Sequence, residues 1–333
     1  MANKEETVKI SGAGGAATLP ELLYVSPSPH MRKLDTVRSI MFDVILALMP
    51  ALCWGVYYFG LRALWIVLIS VASAVICEAA YCALAHRTVR ITDLSAVVTG
   101  LMLGLMMPSG VALWVPAVGS AFAIIVVKQF FGGLGSNIVN PAIAARVFLM
   151  LCWPEQMVKY VNKAGDLVSS ATALVQMKEG NTPSVSLFNL VIGNTPGAIG
   201  EVSAIALGAG FVYLLFRRIV SWRIPVAFMS VIILVSIFAP ATGETTAFYY
   251  QILSGGFLFA ALFSANDPTT TPVTRWGQFI FGLGCGGVTV LIRYFDAYPD
   301  GTAYAILIMN LLVPIFEMWT KPCKFGGKNE KAQ

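Results

Sequence analysis

Between Ile40 and Thr320 the chain alternates long apolar runs with short polar interruptions. The runs have the length of helices that cross a bilayer, not the roughly ten-residue alternation of barrel strands. We expect ten membrane segments, at about 40–60, 64–85, 94–108, 111–130, 138–153, 198–217, 223–241, 247–265, 276–294 and 302–320. Several fall short of the ~20 residues that a perpendicular helix needs to span the hydrocarbon core. The third and fifth are the shortest, and both border Gly, Pro and Asn. Interrupted helices of that kind surround binding sites in many membrane proteins.

Composition identifies the solvent. Of 333 residues, 57% are hydrophobic and 12% charged, with a mean hydropathy of +0.75. Soluble domains carry about 25% charged residues, so this surface is built to face lipid. The expected fold class is all-α, an integral membrane protein of about ten transmembrane helices, some short or broken. Met1 to Thr36 is polar and has no apolar core of a secretory signal. The expected division is a cytoplasmic N-terminal segment 1–38, a transmembrane domain 39–320 with an outer loop at 154–182, and a cytoplasmic tail 321–333.

The two halves are loosely alike. Val98-Thr99-Gly100-Leu101 and Leu253-Ser254-Gly255-Gly256-Phe257 each open an apolar stretch that leads to a proline-bearing break, at Pro108 and at Pro268 and Pro272. Five segments per half would invert one half relative to the other, as in many transporters. The identity between halves is weak, so an inverted five-helix repeat and two unrelated halves both stay open.

Charge orients the segments. With a cytoplasmic N-terminus, sixteen of the 22 basic residues fall on the inner side, Lys128, Arg217 and Arg275 among them. Five fall outside: Arg62, Lys159, Lys163, Lys178 and Arg293. That asymmetry matches the positive-inside rule. Both termini are then cytoplasmic, and the formal charge of +5 reflects basic loops rather than a nucleic-acid partner. Trp65, Trp114 and Trp153 fall near outer segment ends and Trp222, Trp276 and Trp319 near inner ends, as an interfacial belt requires.

Three polar blocks carry candidate chemistry. In Phe130-Phe131-Gly132-Gly133-Leu134-Gly135-Ser136-Asn137-Ile138-Val139-Asn140-Pro141-Ala142, the glycines permit close backbone approach or positive φ. Asn140 can cap a helix that Pro141 begins. The amides of Asn137 and Asn140 suit the imide and ring-nitrogen edges of a planar heteroaromatic. In Gly193 to Ser203, Glu201 either complements a helix N-terminus or lines a cavity. In Ala265 to Gly277, prolines and hydroxyl residues predict a rigid turn in which Asp267 pairs with Arg275. Charges inside spans are costly and mark functional candidates. Asp43, Glu201, Asp267 and Glu317 lie near segment ends, whereas Glu78 and Arg146 lie well inside. The six cysteines form no C-x-x-C pair, and no nucleotide loop, zinc motif or hydrolase motif occurs, so no catalytic or metal-binding residue is expected.

Five blocks together resemble the RnfD/NqrB family of flavin-carrying membrane subunits of redox-driven ion pumps. They are Ser26-Pro27-Ser28-Pro29-His30, Gly132 to Ala142, Asp166 to Leu174, Gly193 to Ser203, and Asn266-Asp267-Pro268, in family order over nearly the whole chain. The short N-terminus looks more like the RnfD branch. The resemblance implies FMN joined by a phosphoester to Thr172. The family's S-G-A-T appears here as Ser169-Ser170-Ala171-Thr172, with Ser170 in the glycine's place and Ala173 where proline is common. It also implies a flavin transferase that reads Asp166 and the small residues around the threonine, and a non-covalent riboflavin near Gly132, Gly133, Asn137 and Asn140.

By this resemblance the chain relays electrons in a bacterial cytoplasmic membrane while its complex moves Na+ or H+. The flavin loop lies outside, and other Rnf subunits supply the ferredoxin and NAD sites. Asp43 and Glu78 are the ion-pathway candidates. Two other readings remain: an NqrB-like subunit of a Na+-translocating NADH:quinone oxidoreductase, and a non-redox channel or transporter that binds no flavin.

Overall fold

Val37–Phe59 (α1) and Leu61–Leu84 (α2) form an antiparallel pair turned at Gly60, whose φ of 75° suits glycine. The computed structural model describes residues 36–86, 91–161, 167–168, 186–201, 203–238, 247–254, 256–295 and 301–321, and from Val37 onward they belong to one compact unit. The end of the bundle where α1 begins is termed the near end, and the opposite one the far end.

Ser95–Leu105 (α3) runs back from the near end but stops early, and residues 106–113 continue as non-helical chain. Pro108 explains the stop, because it lacks an N–H and disfavours helix at the residue before it. Trp114–Phe122 (α4) returns and continues as a π-helix over Ala123–Gln129. Bonds five residues apart extend that wider winding, from Phe130 N–H to Ile125 O at 3.1 Å and from Gly133 N–H to Lys128 O at 3.0 Å. Pro141–Cys152 (α5) starts as expected: Asn140 Oδ1 accepts from Ala142 N–H at 3.0 Å and Ile143 N–H at 3.4 Å. A short helix Pro154–Met157 (α6) leads to an antiparallel pair, Tyr160–Val161 (β1) with Leu167–Val168 (β2).

After Leu187–Ile192 (α7), the second half comprises Ala204–Phe216 (α8), Arg223–Phe238 (α9), Ala247–Leu253 (α10), Phe257–Leu262 (α11), Arg275–Phe295 (α12) and Thr302–Thr320 (α13). Segment 198–217 was expected to be helical throughout. Instead, residues 198–201 remain outside the helix, with Ile199 N–H bonded to Met107 O at 3.1 Å and Gly200 N–H to Leu105 O at 2.7 Å. Segment 247–265 is interrupted between Leu253 and Phe257.

Among the described residues, four helices, α1, α2, α12 and α13, are long and apolar enough to cross a membrane, and six further apolar helical stretches are shorter. Large apolar side chains such as Phe42, Trp65, Ile76, Leu234, Leu291 and Leu311 point outward, exposure that water would penalise and lipid favours. The chain is an all-α, multi-pass membrane protein. Some helix pairings of the first half recur in the second. Thus α2 packs on α3 and α4, as α9 packs on α10 and α12, and α4–α5 corresponds to α12–α13. The halves meet where α1 crosses α8, and Gly210 brings α8 against the backbone at Ala47.

Candidate functional site

At the near end a shallow, open cleft with about 40 Å³ of enclosed space lies between α1, the start of α3, the α4–α5 connection and the turn after α11. Met41, Val98, Met102 and Leu134 give apolar walls, while Ser95, Thr99, Asn137 and Asp267 give polar points. Asn137 Oδ1 is buried without a hydrogen-bond partner. An unmet acceptor in a cleft wall suits a ligand N–H, and the mixed wall suits a planar heteroaromatic with one polar edge. By the chemistry of its lining, the wall suits the polar imide edge of a flavin ring.

The other predicted residues of this block do different work. Asn140 lines the cleft, yet its amide is already engaged: Oδ1 caps α5 and Nδ2 donates to Ser264 O at 3.2 Å. Gly132 and Gly133, at φ 115° and 96°, turn the chain after the π-helix, and the cleft's lining does not include them. Asp267 was expected to pair with Arg275. Its carboxylate accepts instead from Thr269 N–H at 3.3 Å and Thr269 Oγ1 at 2.9 Å. Burial pushes the Asp267 carboxyl above its usual range, against the downward pull of these threonine bonds.

Glu78 pairs with Lys128, whose Nζ lies 2.6 Å from Glu78 Oε1. Charge counting places Lys128 among the basic loop charges of the inner side, but it is 1% exposed and lines the cleft. Ser95 and Gln129, which nothing in the sequence singles out, complete this cluster. A signal for Lys128 existed, since a carboxylate buried in a span requires a cationic partner.

Arg146 and Glu201 answer each other in the middle of the bundle. Arg146 Nη1 donates to Glu201 Oε1 at 2.6 Å and to Met106 O at 3.0 Å. Glu201 precedes α8 rather than occupying its first turn. Its carboxylate fills the space that a side chain at position 256 would need. Asp43 accepts from Tyr213 Oη at 2.8 Å and from Arg217 Nη2 at 2.7 Å, tying α1 to α8 at the near end.

The expected flavin loop leaves the far end. Gly110 N–H donates to Lys159 O at 3.0 Å and Val161 N–H to Ser109 Oγ at 3.3 Å, so its first strand is pinned beside α3's extended continuation. Asp166, Ser169, Ser170, Ala171 and Thr172 lie outside the described residues.

The model of the NQR2, RnfD, RnfE family matches residues 24–326. The chain is 43% identical to a subunit of the Na(+)-translocating ferredoxin:NAD(+) oxidoreductase complex of Acetobacterium woodii, over 91% of this chain and 95% of that relative. It is 37% identical to the corresponding subunit of the proton-translocating ferredoxin:NAD(+) oxidoreductase complex of Clostridium ljungdahlii, over 91% and 96%. It is 32% identical to the corresponding subunit of the ion-translocating oxidoreductase complex of Methanosarcina acetivorans, over 91% and 97%.

Proposed function

The chain belongs to the NQR2, RnfD, RnfE family, and on that premise we propose that it is the flavin-carrying membrane subunit of an ion-translocating ferredoxin:NAD+ oxidoreductase. The observation that carries the reading is likeness along nearly the whole length to relatives that share one subunit designation in such complexes. The relatives at 43% and 37% identity are named for different ions, so Na+ and H+ are both candidates for the coupled ion. Ferredoxin and NAD+ are handled by other subunits. The membrane is the bacterial cytoplasmic membrane, with both termini inside and the loop of Thr172 outside.

FMN is attached through a phosphoester to Thr172 by a flavin transferase that reads Asp166, Ser169, Ser170 and Ala171. A riboflavin sits non-covalently in the near-end cleft. When bound, flavins supply reversible one- and two-electron chemistry that side chains lack. The chain's own part is to bind, orient and shield. Asn137 offers its open acceptor to an imide N–H, the apolar walls hold the ring plane, and Asn140 keeps α5 in register behind it. Gly132 and Gly133 shape the turn that delivers Asn137. Asp43 and Glu78 are the carboxylates proposed for the ion path. Unchanged ions moved per electron after both are neutralised would remove them.

Ultraviolet illumination of a denaturing gel tests the covalent flavin. The full chain, made with its transferase, should fluoresce, and Thr172→Val should be dark. A dark wild-type band would favour the non-redox transporter. Quinone reduction by the intact complex would favour the NqrB-like assignment.

A further inference from the structure

Lys128 is the one basic side chain among the described residues that line the near-end cleft, and burial leaves it 1% exposed. It is anchored from behind. Its Nζ donates to Glu78 Oε1 at 2.6 Å and to Ser95 Oγ at 2.7 Å, and Ser95 Oγ donates in turn to Asp93 Oδ1 at 2.8 Å. Gln129 Nε2 reaches the same Glu78 oxygen at 2.9 Å. Two consecutive residues converge on one carboxylate at the end of the π segment, where the winding departs from that of an α-helix. Glu78 itself does not line the cleft, and its Oε2 has no hydrogen-bond partner. Lys128 thus belongs to the cavity wall, and its anionic partner does not.

Stability is a weak reason for such a pair. Taking both charges out of water offsets much of their attraction, and apolar residues of similar volume often hold a core equally well. The polarity of the arrangement has a clearer use. Each electron that a neighbouring one-electron carrier delivers into the cleft adds one negative charge there unless a proton comes with it. A fixed ammonium in a partly desolvated wall stabilises that charge, and a carboxylate behind it tempers the effect.

We propose that Lys128 sets the electrostatic potential of the cleft and raises the reduction potential of the ring held there, with Glu78 as the positioning residue that holds and moderates it. The inference rests on the non-covalent flavin proposed above.

The test is a redox titration of the intact purified complex in a Thr172→Val background, which removes the covalent flavin signal. Extractable riboflavin, resolved from FMN, is measured in the same samples. Lys128→Met should retain riboflavin and shift its one-electron equilibrium at least tenfold toward the oxidised form, a fall of 59 mV or more. Glu78→Gln should shift the equilibrium the other way, and Lys128→Arg should stay within threefold of the parent. A merely structural role predicts loss of riboflavin without opposed shifts. An unchanged potential in Lys128→Met with riboflavin retained overturns the proposal, as do shifts of the same sign in Lys128→Met and Glu78→Gln. If Lys128→Met loses riboflavin, Glu78→Gln decides alone, and an unchanged or lowered potential there overturns it. Absence of riboflavin from the parent complex is a separate result, which removes the cofactor reading and this inference with it.

Discussion

Arg146 on α5 and Glu201 ahead of α8 form a 2.6 Å ion pair between the two halves of the bundle, with both side chains buried. Arg146 also holds the carbonyl of Met106, where α3 gives way to extended chain. One guanidinium therefore serves a helix end and an inter-half contact together. Removing one partner of a buried pair leaves an uncompensated charge and costs about 3–5 kcal/mol. Arg146→Met or Glu201→Leu alone should each lower the thermal unfolding temperature of the detergent-purified chain substantially. The double variant should lose clearly less than the two single losses combined, because neither charge is then stranded. Additive losses would show that the residues act independently.

The crossing of α1 and α8 makes a sharper steric prediction. A Cβ at position 210 would collide with the Ala47 carbonyl oxygen, whereas one at position 208 on the same helix meets nothing within 4 Å. Gly208→Ala should stabilise by up to about 1 kcal/mol through helix propensity. Gly210→Ala gains the same propensity but must push α1 away, and overpacking of this kind costs about 1–3 kcal/mol. Thermal unfolding of the two variants side by side should give shifts of opposite sign.

The residues explain why the passages were legible and the site only partly so. Nine of the ten expected segments coincide with one continuous helical stretch apiece, and the eighth with the broken pair α10–α11, because apolar length is a local property. Asn140-Pro141 announced its helix start for the same reason. Segment ends erred where tertiary bonds compete with helix. Residues 198–201 were expected to be helical, but Ile199 and Gly200 give their N–H groups to α3's last turn and its continuation. Partners across the bundle were invisible. Nothing local joins Glu78 to Lys128, which are separated by 50 positions, or Arg146 to Glu201, separated by 55. The π winding that ends at Lys128 and Gln129 leaves no mark in hydropathy either.

At the near end, Asp43 receives two bonds from Arg217, through Nε at 3.0 Å and Nη2 at 2.7 Å, besides that of Tyr213. Arg217 is partly exposed and Asp43 is buried. Loss of the fork should therefore matter mainly through the carboxylate it leaves behind. Arg217→Ala should cost about 1–3 kcal/mol. Arg217→Lys should recover only part of it, because an ammonium cannot reproduce the two-pronged geometry. Full recovery by lysine in thermal unfolding would reduce the contact to simple charge attraction.

The two asparagines of the cleft should separate binding from folding. Asn137 carries a buried oxygen with no partner, so Asn137→Leu removes an unmet acceptor and should leave the unfolding temperature nearly unchanged or slightly higher. If that oxygen receives a ring N–H, its loss removes a hydrogen bond of about 1 kcal/mol, and riboflavin should be retained roughly fivefold less tightly. Asn140 is the converse case. Its oxygen caps α5 and its nitrogen reaches Ser264 O, so Asn140→Ala should lower stability by about 0.5–2 kcal/mol from the cap alone. Asn140→Asp or Asn140→Ser, each able to cap, should restore most of that stability. Extractable riboflavin and unfolding temperature, measured on the same preparations, check both halves of the prediction. Normal riboflavin in Asn137→Leu, with loss only in the Asn140 variants, would move the ligand contact from Asn137 to the capping residue.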